Sequence, residues 1–192
     1  MLTTAFSLFT LRQQPFERFT FPRWQSALAI TLIGFLGGFG SIMRVGATEM
    51  PTMPLWLLIP VTVLSVWAVF LVTMGILRWW MKRSARWNGQ GDLFNLLAAS
   101  WLVANFLGIG TVALGVTPLL TLPLWLYAVW VGGNALSGAI PKASLGYSIA
   151  GIIIGLIPAM LTSGVIFALG GIVMAVLGVV PISESGAPLG VR

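Results

Sequence analysis

From Ala143 to Val180 the chain runs without one charged residue, and no other stretch limits the fold as strongly. As a single straight helix it would measure ~57 Å, nearly twice the ~30 Å hydrocarbon core of a bilayer. A surface helix of a soluble domain keeps a polar face toward water, and this segment has none. Two arrangements satisfy it. Either the chain bends at Pro158 and continues as one tilted, partly interfacial element, or it turns back at Thr162, Ser163 and Gly164. The second leaves a last helix of only about 15 residues before Pro181, short of the ~20 that a full crossing requires. Five transmembrane spans are therefore the preferred count, with six as the alternative.

The rest of the composition agrees with a membrane setting. Charged residues make up 7% of the chain and hydrophobic ones 58%, whereas a soluble domain carries about a quarter charged residues. The expected class is an all-α, polytopic helical membrane protein. The net charge of +6 does not point to nucleic acid, because the cations are distributed between apolar runs instead of forming one face. Their placement fits topology and contact with anionic lipid.

Polar segments separate and flank the apolar runs. Met1 to Arg23 places its first cation at Arg12, after the apolar residues, and no small-residue cleavage site follows, so a signal peptide is not expected. Ala5, Leu8, Phe9 and Arg12 fall at helical spacing, and Phe16, Phe19, Phe21 and Trp24 interleave with Glu17, Arg18 and Arg23. Residues 1–24 thus read as an interfacial amphipathic segment lying in the headgroup plane. Residues 25–181 form the helical transmembrane domain, and 182–192 a polar tail. Within the domain the expected spans are Ala27 to Met43, Leu55 to Arg78, Leu93 to Leu114, Leu119 to Leu136, and the final run. Asp92 is expected to cap the third span.

Between the second and third spans lies Arg78 to Phe94, where Arg78, Lys82, Arg83 and Arg86 gather beside Trp79, Trp80 and Trp87. These four cations are the expected contact with anionic lipid or a partner. With the N-terminus inside, eight of the ten cations fall in cytoplasmic segments, Arg44 and Arg192 being the exceptions, so the positive-inside rule places the N-terminus in the cytoplasm. The Trp residues mostly fall near the expected interfaces and read as an aromatic belt.

Little in the chain suggests catalysis. There is no Cys and no His, which removes the commonest metal ligand and general base. The acids Glu17, Glu49, Asp92 and Glu184 are far apart, and no charge sits mid-span, where proton relays and voltage sensors place theirs. A non-enzymatic protein without cofactor or metal is expected. Asn105 is the candidate polar intramembrane site. Two GxxxG pairs, Gly34 with Gly38 and Gly151 with Gly155, permit close helix packing, and their position in the first and last spans suggests that those two helices pack on each other.

Three stretches resemble the bacterial branch of the Yip1-domain family of small membrane proteins: LRQQPFERF, Leu11 to Phe19, before a Gly-rich first span; GQGDLFNLL, Gly89 to Leu97; and IPKASLGYSIAGIIIGLIP, Ile140 to Pro158. The family often has a Tyr and then a Pro in its third span, and Ala98 to Gly110 has neither. The resemblance implies five spans in a bacterial inner membrane, a non-enzymatic role, and no catalytic residues to carry over. Three functions are compatible with these features. The first is a scaffold or adaptor that binds lipid and other membrane proteins or itself. The others are a transporter or channel for a neutral or lipid-like solute, and an accessory subunit of a larger membrane complex.

Overall fold

The computed structural model describes residues 1–45 and 53–178. Glu49, Glu184, Arg192 and the tail 182–192 lie outside the described residues. The elements are α1 (Leu2–Phe9), a 3-10 turn (Phe16–Phe19), α2 (Arg23–Val45), α3 (Leu55–Arg83), α4 (Leu93–Ala113), α5 (Pro118–Ala139) and α6 (Leu145–Val176). No strand occurs among the described residues. Four helices, α3 to α6, are long and apolar enough to cross a membrane. Helices are the expected answer in hydrocarbon, where each backbone N–H and C=O must be paired within its own segment.

Local chemistry sets the helix starts. Asp92 Oδ1 accepts the Asn95 N–H at 3.2 Å and opens α4, and Ser144 Oγ accepts the Tyr147 N–H at 3.4 Å and opens α6. Pro118 occupies the first position of α5, where its missing N–H costs nothing. Within the long uncharged run, Leu145–Val176 forms one unbroken helix. The turn at Thr162, Ser163 and Gly164 that a sixth span would need is absent, and Thr162 Oγ1 instead donates to the Pro158 carbonyl at 2.9 Å. At 32 residues, α6 extends ~48 Å and exceeds the hydrocarbon core even when tilted modestly.

Helix α3 lies between α2 and α6, and the ring closes through α5 and α4 back onto α2. The two glycine pairs therefore do not meet each other. A Cβ at Gly34 would stand 2.7 Å from Val63 Cα, and one at Gly38 would stand 3.4 Å from Ile59 Cα, so this pair seats α2 on α3. A Cβ at Gly151 would meet Trp80 Cδ1 at 2.7 Å, and one at Gly155 the Thr73 carbonyl oxygen at 3.2 Å, so the second pair seats α6 on the other side of α3. The expected pairing of first and last spans fails because α3 offers each glycine face a closer backbone. Farther along, Ser65 Oγ and Ser163 Oγ are hydrogen-bonded at 2.6 Å, and Gly170 packs on Val61.

Across the ring, where α3 and α4 stand apart, aromatic side chains fill the gap. Phe70, fully buried, meets Phe94 and Trp101 edge-on at centroid distances of 5.2 and 5.4 Å, and Trp67 at 6.2 Å. The belt reading thus needs revision. Trp24, Trp56, Trp79, Trp125 and Trp130 are exposed, as an interfacial or lipid-facing residue would be, whereas Trp67, Trp80, Trp87 and Trp101 pack inside.

Replacing Gly34 by Leu should destabilise the protein by ~1–3 kcal/mol, because the added side chain meets backbone that cannot yield. Gly75, on α3, has nothing within 4 Å of its Cβ position, so Gly75→Leu should change little. Thermal unfolding in one detergent, with both variants side by side, checks the contrast.

Candidate functional site

One end of the ring gathers the N-terminal segment, the 84–92 loop, and the 140–144 turn. Two asparagines hold the N-terminal segment there. Asn95, fully buried in the first turn of α4, donates from Nδ2 to the carbonyls of Phe19 at 2.9 Å and Phe21 at 2.6 Å. Its Oδ1 accepts from Ser26 Oγ at 2.7 Å. Asn134, in the last two turns of α5, donates to the Leu11 carbonyl at 2.8 Å and accepts from Gln13 Nε2 at 3.3 Å. The Tyr127 hydroxyl donates to the Phe9 carbonyl. Close approach completes the seat, since a Cβ at Gly138 would stand 2.7 Å from Gln13 Cβ.

The N-terminal segment is accordingly docked on α4 and α5, with Ala5, Leu8 and Phe19 buried against them. Tyr127 lies twelve residues, ~18 Å of helix, before the end of α5, so the strap reaches well along the bundle. Its outward residues Leu2 and Phe6 are apolar and exposed. This differs from an amphipathic helix resting on a surface: one side is fixed on protein, and the other offers apolar side chains.

The neighbouring loop is tied down in the same way. Arg86, one of the four cations expected to contact lipid, stacks its guanidinium 4.2 Å from the Tyr147 ring centroid and donates to the Lys142 carbonyl at 2.8 Å. Tyr147 stacks in turn on Trp80 and donates to Ser84 Oγ at 2.7 Å. Arg86 therefore joins the loop to the start of α6, which leaves Arg78, Lys82 and Arg83 exposed. Trp87 is buried, stacks with Phe16 and donates from Nε1 to the Gln90 carbonyl at 2.6 Å. Gly91 has φ +87° and sits against the Phe16 ring, 2.4 Å from where its Cβ would be. Both features require glycine there. Arg23 is paired with Asp92 at 2.8 Å.

Beside this platform, Arg23, Trp24, Arg78, Trp87 and Asp92 border a groove of ≈ 490 Å³ with Ala27, Met74 and Phe94 among its apolar residues. Cations and tryptophans over an apolar floor suit the headgroup level of a bilayer.

A second cavity, ≈ 450 Å³, lies within the ring. All five helices line it: Gly37 and Gly40 from α2, Val69 from α3, residues from Trp101 to Val112 on α4, from Thr121 to Gly132 on α5, and Ile152 and Leu156 from α6. No charged residue lines it. Asn105 is in its wall, on α4, and donates from Nδ2 to the Trp101 carbonyl of its own helix at 2.8 Å. The candidate intramembrane Asn therefore faces a chamber instead of bonding to a neighbouring helix.

The structure brings Arg78, Lys82 and Arg83 to the exposed edge of the platform, whereas Asn105 lines the cavity, and of the two glycine pairs only Gly151 comes near that edge, against Leu77 and Trp80. Among the described residues no three His, Cys, Asp or Glu side chains come together as a metal site. Asn95 and Asn134 carry the largest polar share of the assembly, yet the sequence signals them only weakly. An amide inside an apolar run marks each, as it marks Asn105, but nothing local says which amides reach a distant segment. Comparison with protein-family models, curated proteins and solved structures finds no match in any of the three.

Asn95→Leu removes three tertiary hydrogen bonds and leaves the Phe19 and Phe21 carbonyls unpaired. It should cost ~1–3 kcal/mol and open Arg12 and Arg18 to trypsin. Asn105→Leu removes only an intrahelical bond and should leave the tryptic pattern unchanged. Limited proteolysis of both variants in detergent checks this.

Proposed function

We propose that the protein is a non-enzymatic scaffold or adaptor of a bacterial inner membrane, with five spans and a cytoplasmic N-terminus, akin to the Yip1 family. The observation that carries the proposal is the basic platform. Arg12, Arg18, Arg23, Arg78, Lys82, Arg83, Arg86 and Lys142 belong to segments at one end of the ring, against Glu17 and Asp92, and Asp92 is already paired. A fixed surface with this excess of positive charge attracts anionic lipid and acidic partners within a Debye length. Because the strap, loop and turn are locked to one another, binding there orders little that is not already ordered.

Five spans are the count that this role assumes. In addition to the four long apolar helices, α2 turns Leu28, Leu32, Phe35 and Phe39 outward at helical spacing. That apolar stripe suits lipid along its length. With α2 crossing as well as α3 to α5, the N-terminal segment, the 84–92 loop and the 140–144 turn share one side, which the positive-inside rule makes the cytoplasmic one.

A second reading rests on the chamber. An uncharged cavity among five helices, with one amide in its wall, is the kind of space a carrier for a neutral or lipid-like solute uses.

The adaptor reading is tested by gentle extraction followed by identification of bound lipid and protein. Wild type should retain anionic lipid, and the triple variant Arg78→Gln, Lys82→Gln, Arg83→Gln should retain several-fold less while remaining folded. A protein recovered with only zwitterionic lipid and no other protein, unaffected by the triple change, would contradict it.

A further inference from the structure

The chamber has a chemistry specific enough to name its occupant. Its walls are mostly apolar side chains, opened by Gly37, Gly40, Gly108 and Gly132. It extends along α4 from Trp101 to Val112, roughly 16 Å of helix, and ends beside the α4–α5 turn. At the inner end, Trp101 belongs both to the wall and to the aromatic cluster around Phe70, which closes the ring on that side. Asn105 lies one turn from this floor. Its Nδ2 is engaged, and its Oδ1 accepts no hydrogen bond from any described residue.

An uncharged chamber excludes a phospholipid headgroup, because an ion taken there would lose its hydration without a counter-charge. An amide oxygen in an apolar surrounding selects a ligand that donates one hydrogen bond, since a donor brought there without a partner is penalised. Asn105 is twelve residues into α4, ~18 Å from its start, a depth at which lipid and not water surrounds the helices. Molecules that reach it come from the bilayer. We infer that the chamber binds a neutral, long-chain lipid alcohol, with the hydroxyl donating to Asn105 Oδ1 and the chain lying along α4 and α5 toward the α4–α5 turn. The inference rests on the carrier reading and adds to it the ligand class and the residue that recognises it.

The chamber can be filled without breaking the helix. A Cβ at Gly108 finds only Leu124 Cδ2, at 3.9 Å, so Gly108→Leu places its side chain in space that is otherwise free. Full-length protein in phosphatidylcholine nanodiscs would be photolabelled with a diazirine-bearing long-chain alcohol and, separately, with the matching alkane that lacks the hydroxyl. Adducts would be mapped by mass spectrometry. The alcohol should label chamber residues such as Val112 and Ala128 at least fivefold more than the alkane does. Asn105→Leu should abolish that difference, and Gly108→Leu should suppress chamber labelling by both probes, with unchanged labelling of the exposed Leu161 and Val165 as the internal standard for a folded protein. Equal chamber labelling by both probes, indifferent to Asn105→Leu, would overturn the alcohol while keeping a ligand chamber. No chamber labelling by either probe would overturn the carrier reading as well.

Discussion

Close approach of α3 to two helices at once is the contact on which the rest of the structure depends. At Gly34 a Cβ would stand 2.7 Å from the α3 backbone, a separation that only glycine permits, and at Gly155 it would stand 3.2 Å from the Thr73 carbonyl oxygen, tight enough to favour a residue without a side chain. Because lipid tails are as apolar as the side chains, no hydrophobic gradient draws helices together inside a bilayer, and packing of this kind has to do so. With α2 and α6 fixed on opposite sides of α3, α4 and α5 complete a ring instead of a compact bundle. The space left at its centre is filled by aromatics around Phe70 toward the basic end and is open beyond Trp101.

The ring alone would leave the α4–α5 side covered only by lipid, and the N-terminal strap occupies it. Asn95 and Asn134 hold the strap through its backbone carbonyls, and the Gln13 and Phe16 side chains add a hydrogen bond to Asn134 and a stack on Trp87. Two consequences follow for the basic end. Arg86 is fixed on Tyr147 and the Lys142 carbonyl, so the charge on that surface is held at defined positions. The exposed cations Arg78, Lys82 and Arg83 lie beside this fixed base.

The sequence made the helical class, the long apolar helices α3 to α6, the capping role of Asp92 and the order of segments legible, because each depends on local signals: apolar run length, Pro and Gly placement, and a carboxylate before a helix. Pairing was another matter. GxxxG says that a helix is approached closely but carries no information about which neighbour does so, and the first and last spans proved to share α3. The same limit hid the strap. Asn95 and Asn105 look alike in the sequence, yet one joins three segments and the other bonds to its own helix and borders a cavity. A run of 38 uncharged residues could be read as one helix or two, and only the unbroken course through Pro158, with Thr162 bonded to its carbonyl, distinguishes them.

The ring order is the central claim, and disulfide cross-linking measures it directly in a chain that has no cysteine of its own. A Cβ at Gly38 would stand 3.4 Å from Thr62 Cβ, close to the spacing a disulfide needs. Cysteines at positions 38 and 62 should cross-link rapidly in native membranes under mild oxidation, while cysteines at 38 and 155 should not. Efficient cross-linking of 38 to 155, with none between 38 and 62, would mean that α2 and α6 meet directly, and the ring with its chamber would have to be abandoned.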